Sequence, residues 1–168
     1  MRVFLPFTVI LPATRACLEL YAHCDVKMED DEAYIRYFQD RWREGESFIT
    51  CEHDTIFHNG AIEELTECPE EWCAFGEVGN DVIWAQGEGA ETLPLKRFVD
   101  GGPTPLALMK FEKSFIAKHP DVWGRIPSDW KSTPKWRWLD AWLQTFMRLK
   151  GIVCHQHYPD VINACGGL

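Results

Sequence analysis

Residues 2–11 are apolar on both faces: after Arg2, the only polar side chain among Val3, Phe4, Leu5, Pro6, Phe7, Thr8, Val9, Ile10 and Leu11 is Thr8. A strand of this kind has no solvated face, so it belongs in the middle of a sheet with helices over both sides. The rest of the chain has to supply that cover.

It does so by alternation. Pro12 stops the strand, and Thr14 is placed to cap a short helix over 15–21 by accepting a first-turn N–H. A second strand is predicted over 26–28. From Asp31, the residues Tyr34, Tyr37, Phe38 and Trp42 fall at amphipathic-helix spacing, with Gly45 placed to stop the helix. Residues 47–51 read as a strand, 59–65 as a helix capped by Asn59 and ended by Pro69, and 72–78 as a strand again. A helix over 106–118 is predicted to break at His119 and Pro120. A longer one follows, with Thr133 as cap, Pro134 first, and Trp136, Leu139, Trp142, Leu143, Phe146 and Met147 as one stripe ending at Gly151. Residues 152–157 form the last expected strand. Residues 79–104, rich in Gly, Glu and Pro and without periodicity, read as a mobile loop of the kind that makes lids and binding walls. The pattern predicts one α/β domain over 1–168, with no repeat or linker to divide it.

Charge narrows the function classes. With 26 acidic against 17 basic residues, a net charge of −9 repels phosphate backbones, which argues against non-specific nucleic-acid binding. Lys110, Lys113, Lys131, Lys135 and Arg137 are the candidates for a basic patch, and a solvated surface is the expectation for them. Seven cysteines are an odd number without zinc-ribbon spacing, which fits reduced thiols of a cytoplasmic protein. The first strand could pass for a leader peptide, but two prolines interrupt it and no small-residue cleavage site follows. No run approaches the roughly 20 apolar residues of a spanning helix.

The densest chemistry is Glu52-His53-Asp54, directly after a predicted strand, which is where ligands bind in open α/β sheets. If strand geometry persists, Glu52 and Asp54 project to one side and His53 to the other. Two converging carboxylates call for a cation; the plainer reading is an acidic strand end in water. His155 and His157 share a face of the last strand and offer imidazoles to Mn, Fe or Zn, although such a pair can equally meet only water. The four side chains are expected to hold one divalent metal. Asp140 lies among Trp136, Trp138, Leu139 and Trp142, where a raised pKa suits a general base; a surface aspartate within reach of Arg137 or Gln144 is the alternative.

Taken in order, Leu11-Pro12-Ala13-Thr14-Arg15, the stretch from Phe48 to Asp54, Cys68-Pro69, Trp72-Cys73, Leu108-Met109-Lys110-Phe111, Trp138-Leu139-Asp140 and His155-Gln156-His157 resemble small glycosyltransferases of the GT-A type. Family-2-like sequences of phages and bacteria are nearest, and the likeness spans most of the chain. It implies a Rossmann-like, mixed and mostly parallel sheet flanked by helices, with a strand-end Asp-x-Asp motif whose first position is Glu52 here. It implies Asp54 as principal ligand of Mn2+ or Mg2+, Glu52 on the metal or a ribose, and His155 or His157 completing the site. Pro12, Thr14 and Arg15 would line the pocket of a nucleotide-diphosphate-sugar donor, and Asp140 would activate the acceptor, whether a glycan, a small molecule or a modified base in DNA. The chain is short for such an enzyme, so the 79–104 loop, an oligomer or a large acceptor has to complete the acceptor wall. The competing expectations are a small zinc metallohydrolase using His53, His155, His157 and an acidic residue, and a binding module without turnover.

Overall fold

The computed structural model describes residues 1–30, 32–78, 106–124, 126 and 139–163. The expected 79–104 loop and the start of the last helix, with Thr133, Pro134 and Trp136, lie outside them. Seven strands form one sheet in the order β2-β1-β3-β6-β5-β7-β4. The strands are β1 (Arg2–Phe7), β2 (His23–Lys27), β3 (Phe48–Cys51), β4 (Thr55–Ile56), β5 (Trp72–Val78), β6 (Leu108–Phe111) and β7 (His155–Asn163). β1, β2, β3, β5 and β7 run one way and β4 and β6 the other, a mixed α/β sheet with most strands in one direction.

The helices α1 (Pro12–Leu18), α2 (Ala33–Glu44), α3 (Ala61–Glu67), α4 (Lys113–Lys118) and α5 (Leu139–Arg148), with a 3-10 turn at Val122–Gly124, cover both faces. On one face α2, α4, the 3-10 turn and α5 bury an aromatic layer that includes Phe38, Trp42, Phe48, Phe111, Phe115 and Trp123. On the other, α1 and α3 bury Leu18, Ile62 and Leu65 against Ile49, Cys73 and Phe75. None of the described helices is long and apolar enough to cross a membrane.

β1 is an interior strand, as its two apolar faces require, but it lies one in from the β2 edge rather than at the centre, and it is shorter than expected. Its ladder with β3 ends at Phe4 opposite Thr50. The Phe7 carbonyl accepts from Met28 N–H on the β2 side, so by alternation the Pro6 peptide faces β3, where proline has no hydrogen to donate. Residues 8–11 therefore leave the sheet, and α1 starts at Pro12 without a side-chain cap; Thr14 lies inside that helix with its side chain buried. α2 follows its stripe and stops at Gly45, whose φ of 70° is a left-handed conformation that favours glycine. α3 is preceded by Gly60 rather than capped by Asn59.

The predicted helix over 106–118 is half wrong. Leu108–Phe111 is a strand between β3 and β5, and only Lys113–Lys118 is helical. Apolar residues filling both faces of a short run do not distinguish a buried strand from a buried helix, and two open ladders on either side decided for the strand. This move also buries Lys110 completely, so it contributes to no surface patch; its ammonium donates to the Cys68 carbonyl at 2.6 Å and lies 3.3 Å from Glu112. β7 extends past its expected end, and its far half pairs with β4.

Phe38 is fully buried, with Trp123 stacked on it at 4.6 Å and Phe111 edge-on at 6.3 Å. Phe38→Ala is expected to cost about 3–5 kcal/mol, read as a lower urea midpoint at unchanged slope. Burial also raises the pKa of Tyr34 and Tyr37 above the ordinary 10.0; the neighbouring Glu52 adds to the first shift, and a hydrogen bond to Thr50 opposes the second. Because the folded value is the higher, this stabilisation is complete below pH 10 and is lost as pH rises above it. Urea titrations at rising pH should show stability falling by about 1.4 kcal/mol per pH unit for each such group, with one slope removed in Tyr34→Phe.

Candidate functional site

Two crossovers leave β1's neighbourhood on opposite faces. α1 carries the chain to β2 on one side of β1, and α2 brings it back over the other face to β3 on the other side. Where successive connections diverge like this, a crevice opens outside the carboxyl ends of the strands, and ligands bind there. Its walls are residues 8–11, after β1, and Glu52-His53-Asp54, after β3. Leu11 N–H donates to the His53 carbonyl at 3.0 Å, seating the first turn of α1, which holds Pro12 and Thr14, against the acidic turn.

That turn is tied down on its other side as well. Glu52 N–H and the Thr55 hydroxyl both donate to the Ala107 carbonyl, at 2.8 and 3.1 Å, and Thr55 N–H closes on the Glu52 carbonyl at 3.2 Å. The Glu52 side chain lies on the α2 face, where the Tyr34 hydroxyl donates to Oε1 at 3.4 Å. Asp54 is 5% exposed and its Oδ1 is buried with no hydrogen-bond partner. After burial, Glu52 and then Asp54 contribute to raising the pKa of Tyr34, so both carboxylates act on one hydroxyl. The Thr14 hydroxyl and His53 Nδ1 are further buried polar atoms without a partner at this junction. A buried carboxylate oxygen without a partner is costly, and a hard cation is one group that could satisfy it, since carboxylate oxygens are the ligands Mg2+ or Mn2+ takes.

The remaining expected residues divide. Arg15 stands one residue beyond Thr14 and is engaged by Asp25 of β2 at 3.0 Å, an exposed pair on the rim. Asp140 is the second residue of α5, whose buried residues join the α2 face; its side chain lies outside the described residues.

His155 and His157 do not join Glu52 and Asp54, which corrects the expected four-ligand site. His155 and His157 pair with β5, with β6 between that strand and β3, and no three of these four side chains bring ligand atoms within 4.8 Å of one another. The faces differ too: His157 packs its ring on Phe75, in the α1/α3 layer, while Glu52 meets Tyr34 in the α2 layer. Nor does His53 gather with both histidines and an acidic residue among the described residues, so the donor set expected of a zinc hydrolase is not assembled. The alternation argument was sound within each strand; what it lacked was the strand order, which no local spacing encodes.

Tyr34 went unread as a site residue. The only signal is its place at the carboxyl-edge end of the α2 stripe, where a hydroxyl-bearing ring was counted as core. A hollow of about 570 Å3 between α2 and α4, lined by Trp42, Arg43, Lys113, Ile116 and Trp123, contains none of the candidate residues; it lies beside Gly45, by the amino end of β3. Its described walls hold no carboxylate, so the buried Asp54 oxygen favours the switch point over this hollow.

No family model matches the sequence, and neither does any curated protein sequence. Among solved structures, a glycosyltransferase involved in the glycosylation of the major capsid of PBCV-1 superposes with a TM-score of 0.48 at 11% identity, covering 99% of this chain and 94% of that one. A protein described as a glucose-1-phosphate thymidylyltransferase from Bacillus anthracis, solved in complex with sucrose, superposes with a TM-score of 0.49 at 10% identity, covering 95% and 87%.

Proposed function

We propose that this chain is a metal-dependent glycosyltransferase that moves a sugar from a nucleotide-diphosphate-sugar to a hydroxyl acceptor, with the crevice between β1 and β3 as its donor site. The observation that carries the reading is the buried, unpartnered Oδ1 of Asp54 beside Glu52 at the topological switch point. Two carboxylates are too few to cage a cation alone, and that is the usual state of a Mg2+ or Mn2+ site whose other ligands are substrate phosphates and water.

In this reading Asp54 holds the ion and Glu52 supports it, with Tyr34 fixing the Glu52 carboxylate by its hydroxyl. A divalent cation held there neutralises charge that builds on the diphosphate as the sugar departs. Residues 8–11, Pro12 and the buried Thr14 hydroxyl face the nucleotide, and Arg15 closes the rim. Asp140 is assigned the proton of the acceptor hydroxyl; a displacement driven from that side inverts the anomeric centre. The histidines of β7 take no part.

A thermal-shift series with nucleoside diphosphates and Mn2+ tests the donor site. At a hundredfold excess over Kd, binding is worth about 2.7 kcal/mol, roughly 5–10 °C for a chain of this size, and Asp54→Asn should remove the gain. No shift with any nucleoside diphosphate overturns the reading. Asp140→Asn should leave that shift in place while abolishing sugar transfer; unimpaired transfer removes Asp140 from its role.

A further inference from the structure

On the opposite face from the acidic crevice, Cys68, Cys73 and His157 bring two sulfurs and one imidazole nitrogen within 4.8 Å of one another. Three separate elements deliver them. Cys68 is the residue on which α3 ends, Cys73 sits near the start of β5, and His157 stands on β7 two residues beyond His155, which pairs with Cys73. Nothing local to the sequence requires this meeting; it exists only because β5 and β7 are neighbours and α3 packs over them.

We propose that Cys68, Cys73 and His157 bind a single soft or borderline divalent cation, with Zn2+ the fitting species, at a site distinct from the donor crevice. Two thiolates and an imidazole match the ligand preference of Zn2+, and ligand atoms at this mutual distance fit a tetrahedral ion. A second observation points the same way: His157 Nε2 is buried with no hydrogen-bond partner, whereas Nδ1 lies 3.9 Å from Glu64 Oε2. One ring nitrogen is thus left without a protein partner, while the other faces a carboxylate beyond hydrogen-bonding distance that could orient the ring by small adjustment. Lys110 Nζ donates to the Cys68 carbonyl at 2.6 Å, fixing the loop that carries the first sulfur. His155 is exposed beside the cluster, its ring centroid 5.1 Å from that of His157. Binding converts two thiols to thiolates and releases their two protons to solvent. The bound ion would clamp the end of α3 to β5 and β7, a fastening rather than a reactive centre.

Cobalt titration of the reduced, metal-stripped full chain tests this. One equivalent of Co2+ should produce a sulfur-to-cobalt charge-transfer band with tetrahedral d–d bands, and Zn2+ should bleach both. Cys68→Ser, which alters a half-buried position, should remove much of the charge-transfer intensity and weaken Zn2+ binding at least tenfold; His157→Gln should do the same to affinity. Glu64→Gln should weaken it 10- to 100-fold while keeping the band. Cys24→Ser, at an exposed thiol, and Asp54→Asn should change nothing, which separates this site from the donor crevice. Absence of the band in the reduced wild-type chain overturns the proposal, as does a band unaltered by both Cys68→Ser and His157→Gln. Cys73→Ser is not needed for the decision, so a folding failure at that fully buried position leaves the test intact.

Discussion

The aromatic layer beneath α2 governs everything else in this protein. Trp42 meets Phe111 edge-on at 5.0 Å and Trp123 at 5.4 Å, Trp123 stacks on Phe38, and the Trp42 indole N–H donates to the His119 carbonyl at 3.0 Å. These contacts fix the helix over β1, β3 and β6 at the cost of little side-chain entropy, since rings have only two rotatable bonds. With α2 so held, its first turn reaches the carboxyl edge of the sheet, and Tyr34 arrives at Glu52. The geometry of the acidic crevice is thus set by packing at a distance from it, and the polar groups need only finish what the rings have positioned.

The fold was legible where a physical constraint was local. Two-faced apolarity put β1 inside the sheet, the stripe from Tyr34 to Trp42 announced α2, and a glycine in the left-handed region ended it at Gly45. It was illegible where the deciding partner was remote. Leu108 to Phe111 became a strand because β3 and β5 each offered an open ladder, and β4 formed because the far half of β7 reached it. Likewise Thr14 looked like a cap, but Pro12, with its preset φ and missing N–H, took the first helical position and drew Thr14 inside.

The candidate site divides along the same line. A carboxylate pair following an apolar strand was readable, because a strand's carboxyl end is a fixed place in an α/β sheet. The histidines of β7 were correctly read as sharing a face, but which face, and beside which strand, depended on an order of strands that the chain does not spell out. The structure gives those side chains other company: two cysteines spaced five residues apart across the end of a helix, a pattern that matches no familiar metal signature and gathers only when the sheet closes. Side chains that read as one cluster in the sequence lie apart in the structure.

The sheet's two outer strands have a consequence for how the protein lives among its own copies. β4 at one border is only two residues long, and β2 at the other carries Asp25 and Lys27, with Arg15 reaching across to Asp25. A border that is too short or too charged makes a poor template for a neighbour's backbone. On the β2 side that charge discourages strand-by-strand growth into fibres without using any residue of either buried layer.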